Sequence, residues 1–289
     1  MSRRPHDIEE LRQWLAGEAY LADRALSTAI YLALALGQPL LLEGEAGVGK
    51  TEVAKALAGA LDAMLVRLQC YEGIDANQAL YEWDYARQLV HLRELQEAGA
   101  RATSDVFGER FLVERPLLTA IRAGSEAVLL IDEVDRADEE FEAFLLEVLS
   151  DFQVTVPEVG TIRAAEPPLV VLTSNRTREL HDALKRRCLY CWIDYPDLDR
   201  EVQIVRVRAP EVDAHLAVGV TAASRRIRDL DVVKRPGVAE TIAWARALAV
   251  LDEDLDDGAA DTLGTVVKDV DDLHLVTQRL DWVLHGDAS

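Results

Sequence analysis

The residues Gly44-Glu45-Ala46-Gly47-Val48-Gly49-Lys50-Thr51 hold the spacing G-x-x-x-x-G-K-T, a pattern suited to binding phosphate. Gly44, Gly47 and Gly49 lack a Cβ, so a turn built on them can wrap closely round an anion with its backbone N–H groups pointing inward. A helix opening at Lys50 and Thr51 adds the positive end of its dipole at the same place. Lys50 brings a full charge for the outer phosphates, and Thr51 brings a hydroxyl for a bound magnesium ion. The alternative is a strand-loop-helix connection that is merely rich in glycine. The apolar Leu40-Leu41-Leu42 in front of the turn weighs against it.

Further along, Val128-Leu129-Leu130-Ile131 runs into Asp132-Glu133. A continuous apolar run is expected of a parallel strand covered on both faces. The C-terminal ends of such strands are where open α/β sheets bind ligands. By themselves, two acidic residues after a strand are ordinarily a polar loop. Behind a phosphate-binding turn, Asp132 can hold magnesium through its waters. Glu133 can then orient, or take a proton from, the water that attacks a γ-phosphate. A second apolar run, residues 169–173, ends at Ser174-Asn175, and the Asn175 amide can donate to the γ-phosphate or to that water.

These side chains need a framework. Residues 7–36 repeat apolar side chains at helical spacing and predict two amphipathic helices broken near Gly17. Strands are expected over 38–43, 64–68, 128–131, 169–173 and 188–193, helices over 52–61 and 141–149, and a β-hairpin over 153–163 around Pro157 and Gly160. The phosphate turn and the strand ending at Asp132 are about eighty residues apart, long for neighbouring βα units, so an insertion is expected within 70–113. Tyr71, Tyr81, Trp83 and Tyr85 either form its core or make a surface that grips a client. A helical pattern follows over 86–98, and Pro116 starts another helix. From Pro196 onward the pattern is helical only. The expected architecture is an α/β domain over 1–195, with a parallel sheet flanked by helices, and a small all-helical domain over 196–289. The acidic stretches 252–257 and 269–272 read as solvated faces.

With 49% apolar residues in 289, the chain can bury real cores, which excludes disorder for the whole. Its 31 Lys+Arg stand against 52 Asp+Glu, a net charge of -21 that repels phosphate backbones and anionic membranes at long range. Nucleic acid is therefore an unlikely partner, with room only for a local basic groove. No signal-peptide core follows the first residues, and the longest apolar stretch, 30–42, is too short to span a bilayer. A soluble, cytoplasmic protein is expected. The odd, low count of cysteines (Cys70, Cys188, Cys191) fits a reducing compartment. Cys188-Leu189-Tyr190-Cys191 has redox or metal-ligand spacing. In a strand, however, the two thiols face opposite ways and no second Cys or His pair is near, so core thiols are expected.

Taken in order, the turn at 44–51, Asp132-Glu133, the hairpin, Asn175, Arg186-Arg187 and the helical C-terminal part resemble the AAA+ ATPases and, within them, the MoxR-type branch. The resemblance covers nearly the whole chain. Its most specific part is Ile131-Asp132-Glu133-Val134-Asp135-Arg136-Ala137, with the helix through Leu149 and the hairpin from Gln153 to Gly160. These look like the branch's Walker B strand, following helix and pre-sensor hairpin, and Arg115-Pro116-Leu117-Leu118 is similar to its lead-in. The resemblance implies ATP and Mg2+ as cofactors. It implies Lys50 and Thr51 as the Walker A residues, Asp132-Glu133 as the Walker B pair, and Asn175 as sensor 1. Arg187 would be the arginine finger that reaches a neighbour's nucleotide, with Arg186 as its understudy. From the residues alone, these two arginines are equally a solvated helix end, where cations are favoured.

One motif departs from the family. The lid usually carries a Pro-Arg pair that supplies the sensor 2 arginine, and here the matching place reads Lys234-Arg235-Pro236-Gly237. Either Arg235 substitutes from the other side of the proline or sensor 2 is absent. The family forms rings, usually hexamers, with sites between subunits, and commonly works with a separate protein bearing a von Willebrand A-type domain. The segment Tyr81-Glu82-Trp83-Asp84-Tyr85 looks like the sub-branch associated with maturation of molybdenum-containing carbon monoxide dehydrogenase. The implied function is a ring-forming ATPase that remodels or activates a client protein, a metalloenzyme. Two rivals stand beside it: a nucleic-acid motor or loader, against which the acidic balance argues, and a structural assembly factor of gas-vesicle type that uses nucleotide as a switch.

Overall fold

A computed structural model describes residues 4–97, 107–157 and 159–286. They divide into two compact units. The first takes the described residues up to Leu15, then Ala22–Glu43 and Val53–Trp192; the second takes Ala16–Leu21, Gly44–Glu52 and the chain from Ile193 on.

Helices α1 (Ile8–Gly17) and α2 (Arg24–Leu36) open the chain, as the apolar spacing predicts. The Asp23 side chain accepts from the Leu26 N–H and so satisfies a donor that the first turn of α2 leaves unpaired. Strand β1 (Leu40–Glu43) is buried throughout and leads into α3 (Lys50–Leu61) and β2 (Met64–Gln69). Next come α4 (Ala76–Leu80), β3 (Tyr81–Trp83), α5 (Tyr85–Glu97), β4 (Leu112–Glu114) and α6 (Pro116–Ala123). The rest of the α/β part is β5 (Ala127–Asp132), α7 (Glu139–Asp151), β6 (Gln153–Val156), β7 (Gly160–Arg163), β8 (Leu169–Ser174), α8 (Asp182–Arg187) and β9 (Leu189–Trp192).

Five of these strands form one parallel sheet in the order β2-β5-β8-β1-β9. Leu129, Ile131, Val170, Leu172 and Leu41 pack against Leu117, Leu118 and Ile121 of α6 and Phe141, Leu145 and Val148 of α7 in one continuous core. Because β8 lies between β1 and β5, the ends of all three strands come out along the same edge. In register, Glu43 is opposite Ser174, Ile131 opposite Leu172, and Gln69 opposite Asp132. That edge is where the chemistry-bearing residues lie.

The segment 70–113, where an insertion is expected, holds α4, α5 and the antiparallel pair β3–β4, with Trp83 edge-on to both Tyr81 and Phe107. Its aromatics divide between the two readings of the sequence: Tyr81 packs on the core, while Tyr71 and Tyr85 are exposed. Residues 98–106 of that segment, and Glu158 of the hairpin, lie outside the described residues. The hairpin itself forms as β6 and β7, with Val156 opposite Gly160.

The second unit contains helices α9 (Leu198–Arg208), α10 (Ala214–Asp229), α11 (Val238–Leu251), α12 (Leu255–Thr262), α13 (Val270–Gln278) and α14 (Leu280–His285). Trp244 is fully buried at its core, and its Nε1–H donates to the Thr262 hydroxyl at 2.8 Å. Asp197, Asp213 and Asp269 cap α9, α10 and α13, so part of the acidic excess satisfies helix ends. The stretch 269–272 is not a solvated face as expected: Asp272 is buried and accepts from the N–H groups of Val233 and Lys234, both at 2.8 Å. Composition could not separate a buried loop anchor from a surface acid.

Candidate active site

In the first unit the site is built at the ends of β5 and β8. Asp132 is buried, and both its oxygens are engaged. Thr173 on the neighbouring strand donates its hydroxyl to Oδ1 at 2.5 Å. Arg67 of β2 donates Nε and Nη2 to Oδ2 at 3.1 and 2.5 Å. The same Thr173 hydroxyl accepts the Glu133 N–H at 2.9 Å. One buried side chain thus ties down two successive residues.

Glu133 adopts the left-handed conformation, φ 54° and ψ 49°, a posture that a residue with a Cβ rarely takes. Its carboxylate accepts from Gln69 Nε2 at 3.0 Å and pairs with Arg136 Nε at 3.0 Å. Strain at a strand end, held by hydrogen bonds from neighbouring strands, is typical of functional positions. Asn175 directly follows β8, and its backbone N–H donates to Asp135 Oδ1 at 3.2 Å. The other oxygen of Asp135 accepts the Thr177 N–H at 2.8 Å and its hydroxyl at 2.7 Å. The buried Asp135 therefore fastens the loop carrying Asn175 to the loop carrying Glu133. Thr173, Arg67, Gln69 and Asp135 were not singled out from the sequence. A polar residue inside an apolar strand (Thr173), and Arg67 and Gln69 alternating in β2, were the available signals.

Cys70 lies beneath these carboxylates, with its N–H on the Asp132 carbonyl at 2.9 Å. Burial first, and then the charges of Asp132, Asp135 and Glu133, push its thiol up to about 12. Burial likewise raises Cys188 to about 12 and Cys191 to about 11. All three are free thiols; Cys70 and Cys191 are buried and Cys188 is partly buried. Arg186 and Arg187 end α8 on the surface of this unit, and Arg187 Nη1 donates to the Leu146 carbonyl at 3.3 Å.

In the second unit, the glycine-rich turn has Gly47 and Gly49 at positive φ, 79° and 99°. At Gly49 a Cβ would meet nothing within 4 Å, so it is the backbone angle and not space that calls for glycine there. Lys50 is buried, and its ammonium donates to the carbonyls of Gly44 and Glu45 at 2.8 and 2.7 Å, folding back over the turn. Gly44, Glu45, Ala46 and Val48 complete the turn, and Thr51 follows Lys50 in the first turn of α3.

The turn is paired with the start of α11. Val238 N–H donates to the Gly47 carbonyl at 3.0 Å, and a Cβ on Gly237 would stand 2.5 Å from the Gly47 Cα. At Gly237 two backbones touch, and a side chain there would force one of them to shift. Arg235, the expected substitute, is exposed. A different arginine is built in. Arg228 forks onto Glu201 at 2.7 and 2.5 Å, donates Nε to the Pro236 carbonyl at 2.6 Å, and stacks over Tyr195 at 4.6 Å. The Tyr195 hydroxyl donates to the Ala46 carbonyl at 3.2 Å. A buried, bidentate pair of this kind sets geometry through its hydrogen bonds, and here it holds the Pro236-Gly237 loop. Sequence reading passed over both Arg228 and Tyr195, because their partners lie far away along the chain.

Among the described residues, no group of three or more His, Cys, Asp or Glu is placed to hold a metal. One carboxylate and one hydroxyl, with phosphate and water supplying the rest, is nevertheless the donor set that Mg2+ takes in nucleotide sites. The buried Asp132 of the first unit and the hydroxyl of Thr51 in the second are each a donor of that kind. No helix among the described residues is long and apolar enough to cross a membrane.

Residues 39–188, just over half of the chain, match the AAA domain (dynein-related subfamily) family. The chain is 26% identical over 268 residues to the gas vesicle ATPase GvpN of Haloferax mediterranei, covering 88% of this chain and 75% of that protein. It is 26% identical over 213 residues to the denitrification regulatory protein NirQ of Stutzerimonas stutzeri, covering 71% of this chain and 69% of that one. A solved structure of a point mutant of Thermotoga maritima RuvB superposes with a TM-score of 0.51 at 19% identity, over 98% of this chain and 79% of that one, which shows the fold alone. The chain belongs to the AAA domain family, dynein-related subfamily, and is an AAA+ ATPase of the MoxR-like kind.

Proposed function

We propose that this ATPase works as a ring of identical subunits, a hexamer as is usual in the family, that hydrolyses ATP to remodel or activate a client protein. The client is a metalloenzyme, and a protein with a von Willebrand A-type domain is the partner. The observation that carries the hydrolytic part is the buried Asp132–Thr173–Glu133 arrangement, in which one hydroxyl holds both a carboxylate and a strained glutamate. The backbone of residues 44–49 and Lys50 bind the phosphates, and Thr51 and Asp132 hold magnesium, which when bound neutralises phosphate charge. Glu133 orients the attacking water and takes its proton as the water oxygen bonds to the γ-phosphorus. The bond from that phosphorus to the bridging oxygen breaks, and ADP leaves with the electron pair. Asn175 contacts that phosphate or the water. Arg187 of the next subunit, or Arg186, stabilises charge in the transition state. Either Arg235 takes the sensor 2 role from the other side of Pro236 or that role is absent.

The similarity to NirQ, whose name refers to denitrification, supports a regulatory or maturation role. The similarity to GvpN over most of the chain favours a second reading, an assembly factor for a protein-walled structure. Glu133→Gln separates them. This variant is expected to retain ATP while hydrolysis falls about 10²- to 10⁴-fold, and to hold its client during native purification. A bound metalloenzyme supports the first reading, and a bound small structural protein supports the second. Undiminished hydrolysis removes Glu133 from its role.

A further inference from the structure

We propose that Tyr195 and Arg228 are positioning residues for phosphate binding, which fix the Ala46 carbonyl and so aim the amides of the glycine-rich turn. The proposal rests on the reading of residues 44–51 as the phosphate-binding turn and adds to it the parts that shape it. Every side chain and amide it uses belongs to the second unit. In a planar trans peptide the C=O and the N–H point in opposite directions, and no peptide bond among the described residues is cis. The Tyr195 hydroxyl donates to the Ala46 carbonyl at 3.2 Å, so the N–H of Gly47 is turned away from Tyr195. The Val238 N–H, in the first turn of α11, donates to the Gly47 carbonyl at 3.0 Å, which turns the N–H of Val48 away from α11. Two successive amides of the turn are thereby directed away from the groups that hold their carbonyls. Successive N–H groups bind an anion when they converge on it. Glycine at 47 and 49 lets the turn take many shapes, so what selects one of them must come from outside it.

Arg228 joins the two holders. Its guanidinium lies 4.6 Å from the centre of the Tyr195 ring, and its Nε donates to the Pro236 carbonyl at 2.6 Å, just before α11. Its own place is fixed by the fork onto Glu201 and by Nη2, which also donates to the Thr241 hydroxyl at 3.0 Å. The side chains of Arg228 and Glu201 are 8% and 0% exposed, so water does not compete for these bonds. Arg225 Nη1 donates to the Pro196 carbonyl at 2.9 Å and pins the chain directly after Tyr195. Burial, against the opposing charge of Arg228, raises the Tyr195 phenol above its ordinary value. The hydroxyl therefore keeps its proton and remains a donor at neutral pH.

The test measures, on the full chain, displacement of a fluorescent ATP analogue by ATP and by inorganic tripolyphosphate. Tyr195→Phe removes the hydroxyl and keeps the ring beneath Arg228. It is expected to weaken both ligands by the same factor, about two- to tenfold, the contribution of one neutral hydrogen bond. Arg228→Lys keeps the charge but loses the fork, and should weaken both as well. Thr262→Val removes the hydrogen-bond partner of Trp244 in the core of the same unit. That variant should melt at a lower temperature and bind both ligands as the wild type does, which separates positioning from stability. An equal loss of affinity in Thr262→Val overturns the proposal, because loosening the unit anywhere would then suffice. Wild-type affinity for tripolyphosphate in Tyr195→Phe overturns it too, whether or not ATP binding weakens. If neither ligand distinguishes the wild type from Lys50→Ala, the phosphate reading of the turn falls, and this proposal falls with it.

Discussion

Thr173 shows how much one hydroxyl can decide. It donates to Asp132 and accepts from the Glu133 N–H, so removing it takes a hydrogen bond from each of two groups at a buried charge. Thr173→Val keeps the shape and deletes both bonds. Leaving buried polar groups unpaired costs about 1–3 kcal/mol, and the left-handed Glu133 loses the bond that holds it. Urea denaturation should show that loss, and ATP turnover should fall with it; unchanged stability would mean that water replaces the hydroxyl. The carboxylates 132–133 were legible from the sequence because a long apolar run ends on them. Thr173 was not, since a β-branched polar residue in a strand is ordinary and only the pairing of β5 with β8 gives it meaning.

At the scale of elements, the glycine-rich turn and the start of α11 form one feature. A methyl group at Gly237 would meet the Gly47 Cα at 2.5 Å and its carbonyl oxygen at 2.7 Å. Gly237→Ala should therefore lose about 1–3 kcal/mol of stability, as overpacking of backbone does, and should weaken nucleotide binding; calorimetric melting and ATP titration measure the two. By resemblance, the sequence left open whether Arg235 or no arginine serves this place. The touch between the backbones of Gly237 and Gly47 joins residues far apart along the chain. Around strand β9 the local signal served better: core thiols were expected, and both are free, Cys191 buried and Cys188 partly buried against the core.

Thiol pKa values raised from 9.0 to about 11 and 12 also have a consequence for stability. The folded chain holds protons that the unfolded chain releases first, so this contribution is whole below about pH 9 and is lost as pH climbs towards 12. Native protein at pH 8 should react slowly with a thiol reagent and rapidly once unfolded. Fast native labelling would contradict the burial of Cys70 and Cys191.

For the whole molecule, the proposal of a finger supplied by a neighbouring copy makes activity depend on assembly. Turnover per subunit should rise with protein concentration and then level off, and Arg187→Ala should bind ATP yet hydrolyse it at least about 10³-fold more slowly. Steady-state phosphate release across a dilution series measures both. A rate per subunit that is independent of concentration, with a fully active Arg187→Ala, would remove the finger. The net charge of -21 opposes nucleic acid as the client, and DNA-stimulated turnover would reverse that judgement.

The sequence by itself determined the glycine-rich turn, the carboxylates that end β5, the buried strands and the helical C-terminal part. Those signals are local: spacing, apolar runs and glycine at fixed offsets report on a few neighbouring residues. The tertiary structure alone decided which side chains hold the chemistry in place. Arg67 reaches Asp132 across 65 positions, Thr173 reaches it across 41, and Tyr195 reaches Ala46 across 149. Such partners meet only because strand order and helix packing bring distant segments together, and no local pattern encodes that.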